Sequence, residues 1–404
     1  MTMQHPVIIA GAGPSGSVLA LYLAKRNIPV VLLEKDKQLP IDLRASTFHP
    51  PSLEMIADLE PRVIEKMLAK GLKADRYQYR DRRTNETATF DMALLEGETR
   101  YPFRLQLEQY ELTHFIAEEL QQYACATMLF EHEALDFTQD TDGITLRVAT
   151  PDGESHLRGS FLVGSDGARS NIRKSSGIGY LGFTYDEKFL VVSTNFAFEE
   201  VFDDFSYVNY VSDPEEWCVI LRTDKIWRVL VPVTINNDED EQLVMSDAFI
   251  QERLQRIHDK GSDYDIGHRT LYGVNQRVAE TYFQGRMALV GDACHINNPL
   301  GGMGMNGGLH DAFNLAERLV RIVKEEADYE QEFAHYDRQR KDLAVRFVQE
   351  HTIQNKKLME STDPDVQAKR QQWLMEMSLD PVKAKEFLVE RAMIQCVRDS
   401  LAVA

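Results

Sequence analysis

The chain opens on a short apolar run, Val7-Ile8-Ile9-Ala10, breaks into Gly11-Ala12-Gly13-Pro14-Ser15-Gly16, and resumes as a mainly apolar stretch over residues 17–26. A second apolar run occupies residues 30–34. Short apolar runs bounded by turn residues read as buried strands and the longer stretch reads as a helix, so the pattern predicts strand, glycine turn, helix, strand. Helical spacing predicts a helix over residues 108–123, and alternating, turn-punctuated segments over 127–163 predict a β-meander. Residues 182–234 are rich in Phe, Tyr, Val and Trp, with breaks at Asp213-Pro214 and Thr223-Asp224-Lys225, and predict a second sheet with hairpins. Helical spacing returns over 242–258, and the chain passes through 286–291 to a further strand. From Gly307 onward the pattern is almost wholly helical, with a charged stretch over 329–360 that reads as a solvated face and a final helix near 384–401. No internal repeat or Pro/Ser-rich linker separates these parts, so the domains are expected to interleave.

Composition narrows the function classes. With 404 residues the chain is long enough for more than one lobe. A net charge of −19 repels phosphate backbones and anionic lipid, so nucleic acid and membrane surfaces are not expected partners. The four cysteines, Cys125, Cys218, Cys294 and Cys396, are scattered and form no CxxC or Cys/His cluster, which argues against a disulfide framework and a metal site and fits a reducing cytoplasm. No apolar run approaches the roughly 20 residues that span a bilayer. The N-terminal run is too short, and lacks the basic lead, for a signal peptide.

The Gly11–Gly16 segment is a GxGxxG between strand and helix. Glycines there permit a tight turn and close approach of the backbone to a pyrophosphate, while the helix start offers unsatisfied N–H groups and the positive end of its dipole. Glu34 ends the next strand about 20 residues on, where an acid accepts hydrogen bonds from an adenosine ribose. The pattern therefore predicts a dinucleotide site at Gly11, Gly13, Pro14, Ser15, Gly16 and Glu34, with Lys35 beside it.

Two distant segments indicate which dinucleotide. Arg286-Met287-Ala288-Leu289-Val290-Gly291-Asp292-Ala293-Cys294-His295, continuing through Asn298-Pro299-Leu300-Gly301-Gly302-Met303-Gly304-Met305-Asn306, resembles the "GD" motif and flavin-proximal loop of FAD-dependent hydroxylases. Gly164-Ser165-Asp166-Gly167-Ala168-Arg169-Ser170-Asn171-Ile172-Arg173 resembles their "DG" motif. Arg44 matches an arginine that contacts FAD in that family, and Gln106 resembles a flavin-side glutamine. The order and spacing of these segments resemble the class A flavoprotein monooxygenases, the p-hydroxybenzoate hydroxylase family. Met303, where Gln is common, and Cys294, where a small residue is usual, depart from its pattern.

The resemblance implies an α/β fold. A Rossmann-like, glutathione-reductase-type FAD-binding domain (1–75, 100–180 and 280–325) would interleave with a β-rich substrate domain (76–99 and 181–279), followed by a helical C-terminal segment (326–404). It implies FAD bound by the glycine turn, Glu34, Lys35, Arg44, Gln106, Asp166, Asp292, Pro299, Gly302, Gly304, Met305 and Asn306, and no metal. It implies NADH or NADPH as electron donor, O2 as co-substrate, and hydroxylation of a small phenol-like or N-heteroaromatic ring through a C4a-hydroperoxyflavin, with a homodimer as the assembly. Pro299 and Arg44 are the expected residues of the reacting centre. Tyr207, Tyr210, Arg222 and His295 are further candidates, each with a structural alternative: sheet core for the tyrosines, a hairpin salt bridge for Arg222, loop packing for His295. His49 is weighed like His295. An epoxidase or reductase on the same fold and a non-catalytic flavin-binding protein remain alternatives; a halogenase is disfavoured because Ile226-Trp227-Arg228-Val229-Leu230-Val231-Pro232 lacks a WxWxIP pattern.

Overall fold

A computed structural model describes residues 5–41 and 43–403. A six-stranded sheet runs in the order Phe283–Gln284, Met287–Leu289, Phe161–Gly164, Val7–Ala10, Val30–Leu33, Ala126–Leu129. All its pairs are parallel except the first. Val7–Ala10 and Phe161–Gly164 are buried along their whole length, as expected of a parallel sheet covered on both faces; the helix Pro14–Ala24 and Ile144, Leu146 and Val148 share its core. The same rule corrects the meander expected over 127–163. Only Glu133–Gln139, Ile144–Thr150 and Gly153–Gly159 form an antiparallel three-stranded sheet. The flanking runs at 126–129 and 161–164 lack strict alternation of apolar and polar residues and join the parallel sheet instead.

An eight-stranded, mostly antiparallel sheet has the order His295–Ile296, Ile266–Ala279, Tyr180–Thr194, Trp227–Thr234, Cys218–Arg222, Val208–Ser212, Arg76–Asp81, Thr87–Asp91. The alternation of a pleated strand divides its residues between two faces. Leu190, Val192, Ile220 and Val229 pack beneath Ile250 and Leu254 of the helix Asp247–Ile257. Phe189, Val191, Tyr210 and Leu230 face the other way, sharing a core with Leu374, Phe387 and Leu388 of the C-terminal helices.

Three helical expectations change. The helix expected over 242–258 is two, Asp238–Val244 and Asp247–Ile257, because Ser246 accepts a hydrogen bond from the Phe249 N–H and caps the second. The final helix likewise splits into Pro381–Arg391 and Ile394–Ala402 at Met393, whose φ is +62°. The charged stretch over 329–360 is not a uniformly solvated face: Arg340 and Lys356 are buried, and a π-helical turn at Ala344–Gln349 interrupts it. The helices Pro14–Ala24 and Met303–Lys324 lie against one another, Tyr22 and Phe313 meeting edge to face at 6.0 Å. Both begin at the carboxyl ends of the parallel strands.

Candidate active site

The turn after Val7–Ala10 is held by steric exclusion. Gly11 has φ +102°, and a Cβ on Gly16 would fall 2.1 Å from the Gly11 carbonyl oxygen. Gly13 offers no capping side chain to the helix Pro14–Ala24, so the N–H groups of its first turn remain directed outward. Behind the turn, Glu34 is buried; its Oε2 accepts from the Ala12 N–H at 3.3 Å and its Oε1 from the Asp36 N–H at 3.1 Å.

A second helix start faces the same space. Gly302, at φ +68°, turns Pro299–Gly302 into the helix Met303–Lys324, again without a side-chain cap. Asn306 locks that turn: its Nδ2 donates to the Thr47 and Gly302 carbonyls at 2.9 and 2.7 Å, and its Oδ1 accepts from the His49 N–H at 2.9 Å. His49 Nε2 lies 2.8 Å from the Gly301 carbonyl. Burial, with Arg104 adding to it, pulls the His49 pKa down to about 3, so the ring is neutral and donates there.

The Gly291-Asp292 and Asp166-Gly167 loops are tied together. Arg173 Nη1 donates to the Ala293 carbonyl and its Nη2 to the Ala168 carbonyl, both at 2.9 Å, while the guanidinium lies 3.8 Å over the Tyr180 ring. Tyr180 in turn donates to the Asp292 carbonyl at 2.9 Å. The Asp166 carboxylate is committed locally, accepting from Ser170 Oγ at 2.5 Å and from the Asn171 and Ile172 N–H groups. Asp292 differs: its side chain projects into the open cleft, where solvent reaches it. The walls around it nevertheless raise its carboxyl above the ordinary range, against the pull of His295 and Arg44. Beneath the loop, Asp311 accepts from the Gly291 N–H at 3.2 Å, lies 2.7 Å from His295 Nε2, and receives Arg340 Nε at 2.7 Å. Burial would raise the Asp311 pKa, but His295 and Arg340 outweigh it and hold it at about 2.

These loops bound one continuous cleft of ≈ 740 Å³, within the range of roughly 300–1,000 Å³ common for cofactor and ligand sites. Its far wall is the eight-stranded sheet, which contributes Val191, Leu221, Leu230, Tyr272 and Arg228. Arg228 is buried and ties the eight-stranded sheet to the start of the helix Gln109–Leu120 and to the Arg44 loop: Nη2 donates to Glu108 Oε1 at 2.7 Å and Nη1 to the Arg44 carbonyl at 3.1 Å. Burial raises the Glu108 carboxyl even beside that guanidinium.

The residues expected from sequence separate accordingly. Gly11, Gly13, Pro14, Ser15, Glu34, Lys35, Arg44, Asp166, Asp292, Pro299, Gly302, Gly304 and Met305 line the cleft. Gly16, Gln106 and Asn306 lie just behind it; Gln106 accepts from Thr47 Oγ1 at 3.0 Å, and its Nε2 is buried without a partner. The four further candidates lie off the cleft. His295 is buried in the Asp311–Arg340 cluster, and Arg222 lies 3.6 Å from Glu199 and packs over Trp227. Tyr210 is in the sheet core under Arg104, and Tyr207 packs near Trp227. Arg228, Glu108 and Thr47 carry no role in the sequence reading, and Arg173 enters it only as the last residue of the "DG" motif. Of the first three, only Arg228 has a usable signal, a lone charge inside the apolar run 226–233. Among the described residues no group of three or more His, Cys, Asp or Glu side chains is placed to hold a metal ion.

The cleft fits an FAD on its own features. Two uncapped helix starts supply positive potential along its main-chain wall, an acid sits behind the glycine turn, and the Asp292 carboxylate projects into it. Residues 4–351 match the model of a family described as FAD binding domain. The chain is 29% identical over 393 residues to para-nitrophenol 4-monooxygenase of Pseudomonas sp. (strain WBC-3), covering 95% of this chain and 94% of that one. It is 28% identical over 326 residues to 6-hydroxy-3-succinoylpyridine 3-monooxygenase of Pseudomonas putida (strain DSM 28022 / S16), covering 80% and 81% of the two chains. The crystal structure of p-nitrophenol 4-monooxygenase from Pseudomonas putida DLL-E4 superimposes with a TM-score of 0.89 at 27% identity, over 96% of this chain and 98% of that one. The chain belongs to the FAD-binding domain family, as a class A FAD-dependent aromatic monooxygenase.

Proposed function

We propose that the protein hydroxylates a phenol-like or N-heteroaromatic ring, with NADH or NADPH as electron donor and O2 as oxygen source. One oxygen atom enters the ring and the other leaves as water, NAD(P)H supplying the two electrons. The observation that carries this reading is the continuity of the cleft, with nucleotide-type loops at one end and the apolar face Val191, Leu221, Leu230 and Tyr272 at the other. The relatives that act on nitrophenol and on a hydroxypyridine favour rings of that kind.

FAD, when bound, supplies the redox chemistry and the activation of O2. The glycine turn and the start of Pro14–Ala24 would hold its pyrophosphate and Glu34, beside Lys35, its ribose. Asp292 would accept from a hydroxyl of the connecting chain, and Arg44 would lie along it. The backbone of Pro299–Met305 and the start of Met303–Lys324 would face the ring system, where the helix dipole favours negative charge. Asp166 and Asn306 fix the loops on either side, and Gln106 backs Thr47. Val191, Leu221 and Leu230 would hold the substrate ring flat and exclude water, which otherwise diverts oxygen to hydrogen peroxide. All four cysteines are free thiols, which favours a reducing compartment and a cytoplasmic protein. A homodimer is part of the proposal and is checked by sedimentation.

A panel of phenols, pyridines and quinolines screened for stimulated NAD(P)H consumption, with products identified by mass spectrometry, tests the reading. A member that accelerates consumption and gains 16 mass units supports it; FAD-loaded protein that hydroxylates no ring in the panel overturns it.

A further inference from the structure

The loop that carries Pro299 is gripped from behind by a network of uncharged side chains. Asn298 is fully buried, and each of its polar groups is engaged. Its Oδ1 accepts from the Leu300 N–H at 3.1 Å and its Nδ2 donates to the Thr352 carbonyl at 3.0 Å. Its N–H donates to Gln276 Oε1 at 3.0 Å, and its carbonyl accepts from Asn297 Nδ2 at 2.6 Å. Gln276, at 1% exposure on the strand Ile266–Ala279, donates through Nε2 to Thr352 Oγ1 at 2.8 Å and to the Gln349 carbonyl at 3.3 Å. Gln349 Nε2 donates in turn to the Ile296 carbonyl at 3.0 Å.

Gln349, Thr352 and Asn355 follow at three-residue intervals through the end of the π-helical turn and the helix Glu350–Met359, a spacing that puts them on one face. Asn355 closes that face over the turn: a Cβ on Gly301 would lie 3.3 Å from its Nδ2, and its Oδ1 accepts from Arg391 Nη1 at 2.6 Å. His49 and Asn306 hold the Gly301 and Gly302 carbonyls from the other side, and the Pro299 carbonyl accepts from the Gly302 N–H at 3.0 Å. What the turn leaves for the cleft is the set of N–H groups at the start of Met303–Lys324, which have no intrahelical partner.

Apolar side chains of the same shape would hold the loop in place about as well as these amides. Hydrogen bonds add direction, because they weaken steeply once bent below about 120°, and a fully satisfied buried network is rigid. The network therefore fixes how the peptides of the turn are rotated as well as where they lie.

We propose that Asn298, backed by Gln276 and Thr352, is a positioning residue for the flavin ring: it fixes the rotation of the Pro299–Gly302 turn so that the N–H groups beyond it favour the reduced, negatively charged flavin over the oxidised one. The proposal rests on the reading above that this turn faces the ring system. It assigns part of the flavin site to residues 349–355 of the helical C-terminal segment.

Spectroelectrochemical titration of FAD-loaded protein, beside the dissociation constant of oxidised FAD, tests it. Asn298→Leu keeps the branching and removes the bonds. It should weaken the preference for reduced flavin about tenfold, the scale of one lost charge-assisted hydrogen bond. For a two-electron couple that is a midpoint potential about 30 mV more negative. The affinity for oxidised FAD should change by less than about threefold. Asn298→Ser, whose hydroxyl can accept from the N–H two residues on, should recover part of the shift. Thr352→Val, which removes one link behind Asn298, should shift the potential in the same direction by less. The control is Gln371→Leu, which breaks another buried amide of the C-terminal helices, one that donates to the Tyr79 and Glu86 carbonyls. It should lower the melting temperature and leave the potential unchanged. An unshifted potential in Asn298→Leu, or an equal shift in Gln371→Leu, makes the network merely structural and overturns the proposal. If Asn298→Leu holds no FAD, Thr352→Val decides by the same two readings. Unmodified protein that takes up no FAD overturns instead the reading on which the proposal rests.

Discussion

At the six-stranded sheet the cleft is bounded by main chain: Gly11, Gly13, Gly291 and the two helix starts at Pro14 and Met303. At the eight-stranded sheet it is bounded by side chains, Val191, Leu221, Leu230, Tyr272 and Arg228, each from a strand whose other face is buried. On the proposed reading the first arrangement would recognise what all dinucleotides share, a pyrophosphate and ribose hydroxyls, and at Gly11, Gly16 and Gly291 it leaves no room for a side chain. The second would recognise one ring among many and can change residue by residue. Substitutions in the first region should therefore remove the cofactor, and substitutions in the second should alter the substrate while the cofactor stays.

The largest effect is expected at Gly16. A valine there would place Cβ against the Gly11 carbonyl and Ser165 Oγ at 2.1 and 2.4 Å, contacts that only backbone movement relieves. Gly16→Val should leave the purified protein colourless, read by flavin absorbance after desalting; normal FAD retention would break the comparison at its firmest point.

Next is Asp311, inside the core beneath the Gly291 loop. Removing one member of a buried charge cluster costs about 3–5 kcal/mol, so Asp311→Asn should lower unfolding free energy by that order. Its folded pKa, at about 2, lies below the ordinary value of roughly 3.9. The stabilisation is thus fully present above about pH 4 and fades as pH falls towards 2. Urea melts of both proteins across that window should converge at the acid end, and parallel curves would contradict the assignment.

Asp292→Ala is smaller and specific. Loss of a charge-assisted hydrogen bond, worth about 1.5–3 kcal/mol, should weaken FAD binding by roughly ten- to a hundredfold. The surface change Glu350→Ala is the control, and equal dissociation constants for the two would show that Asp292 does not touch the cofactor.

The smallest effect on FAD is expected at Leu221, on the other wall. Leu221→Ala should change FAD affinity by less than about threefold, yet raise the dissociation constant of the ring substrate by about tenfold, the scale of a lost apolar contact. Calorimetry with both ligands separates the two, and a parallel loss would mean that the regions do not divide the work.

The same contrast explains what could be read in advance. The glycine turn, Glu34, Asp292 and the Pro299–Met305 loop are local patterns in which neighbours in sequence are neighbours in space. The eight-stranded sheet could be recognised as a sheet, but its cleft-facing residues come from four strands whose register no local pattern encodes. Tyr207, Tyr210, Arg222 and His295 are chemically suitable residues that the register or a buried partner places off the cleft. Arg228 and Glu108, 120 residues apart, meet only when the eight-stranded sheet docks on the start of the helix Gln109–Leu120. The meander was misjudged for a related reason: a four-residue apolar run does not reveal which sheet it will join.

The central claim is that one cleft brings a flavin and an aromatic ring together for oxygen transfer. Turnover under labelled dioxygen in unlabelled water, with the best substrate from the aromatic panel, tests it most directly. The account predicts one labelled atom per product molecule and NAD(P)H oxidation that the substrate accelerates. Product formed anaerobically, or carrying oxygen from water, would contradict it.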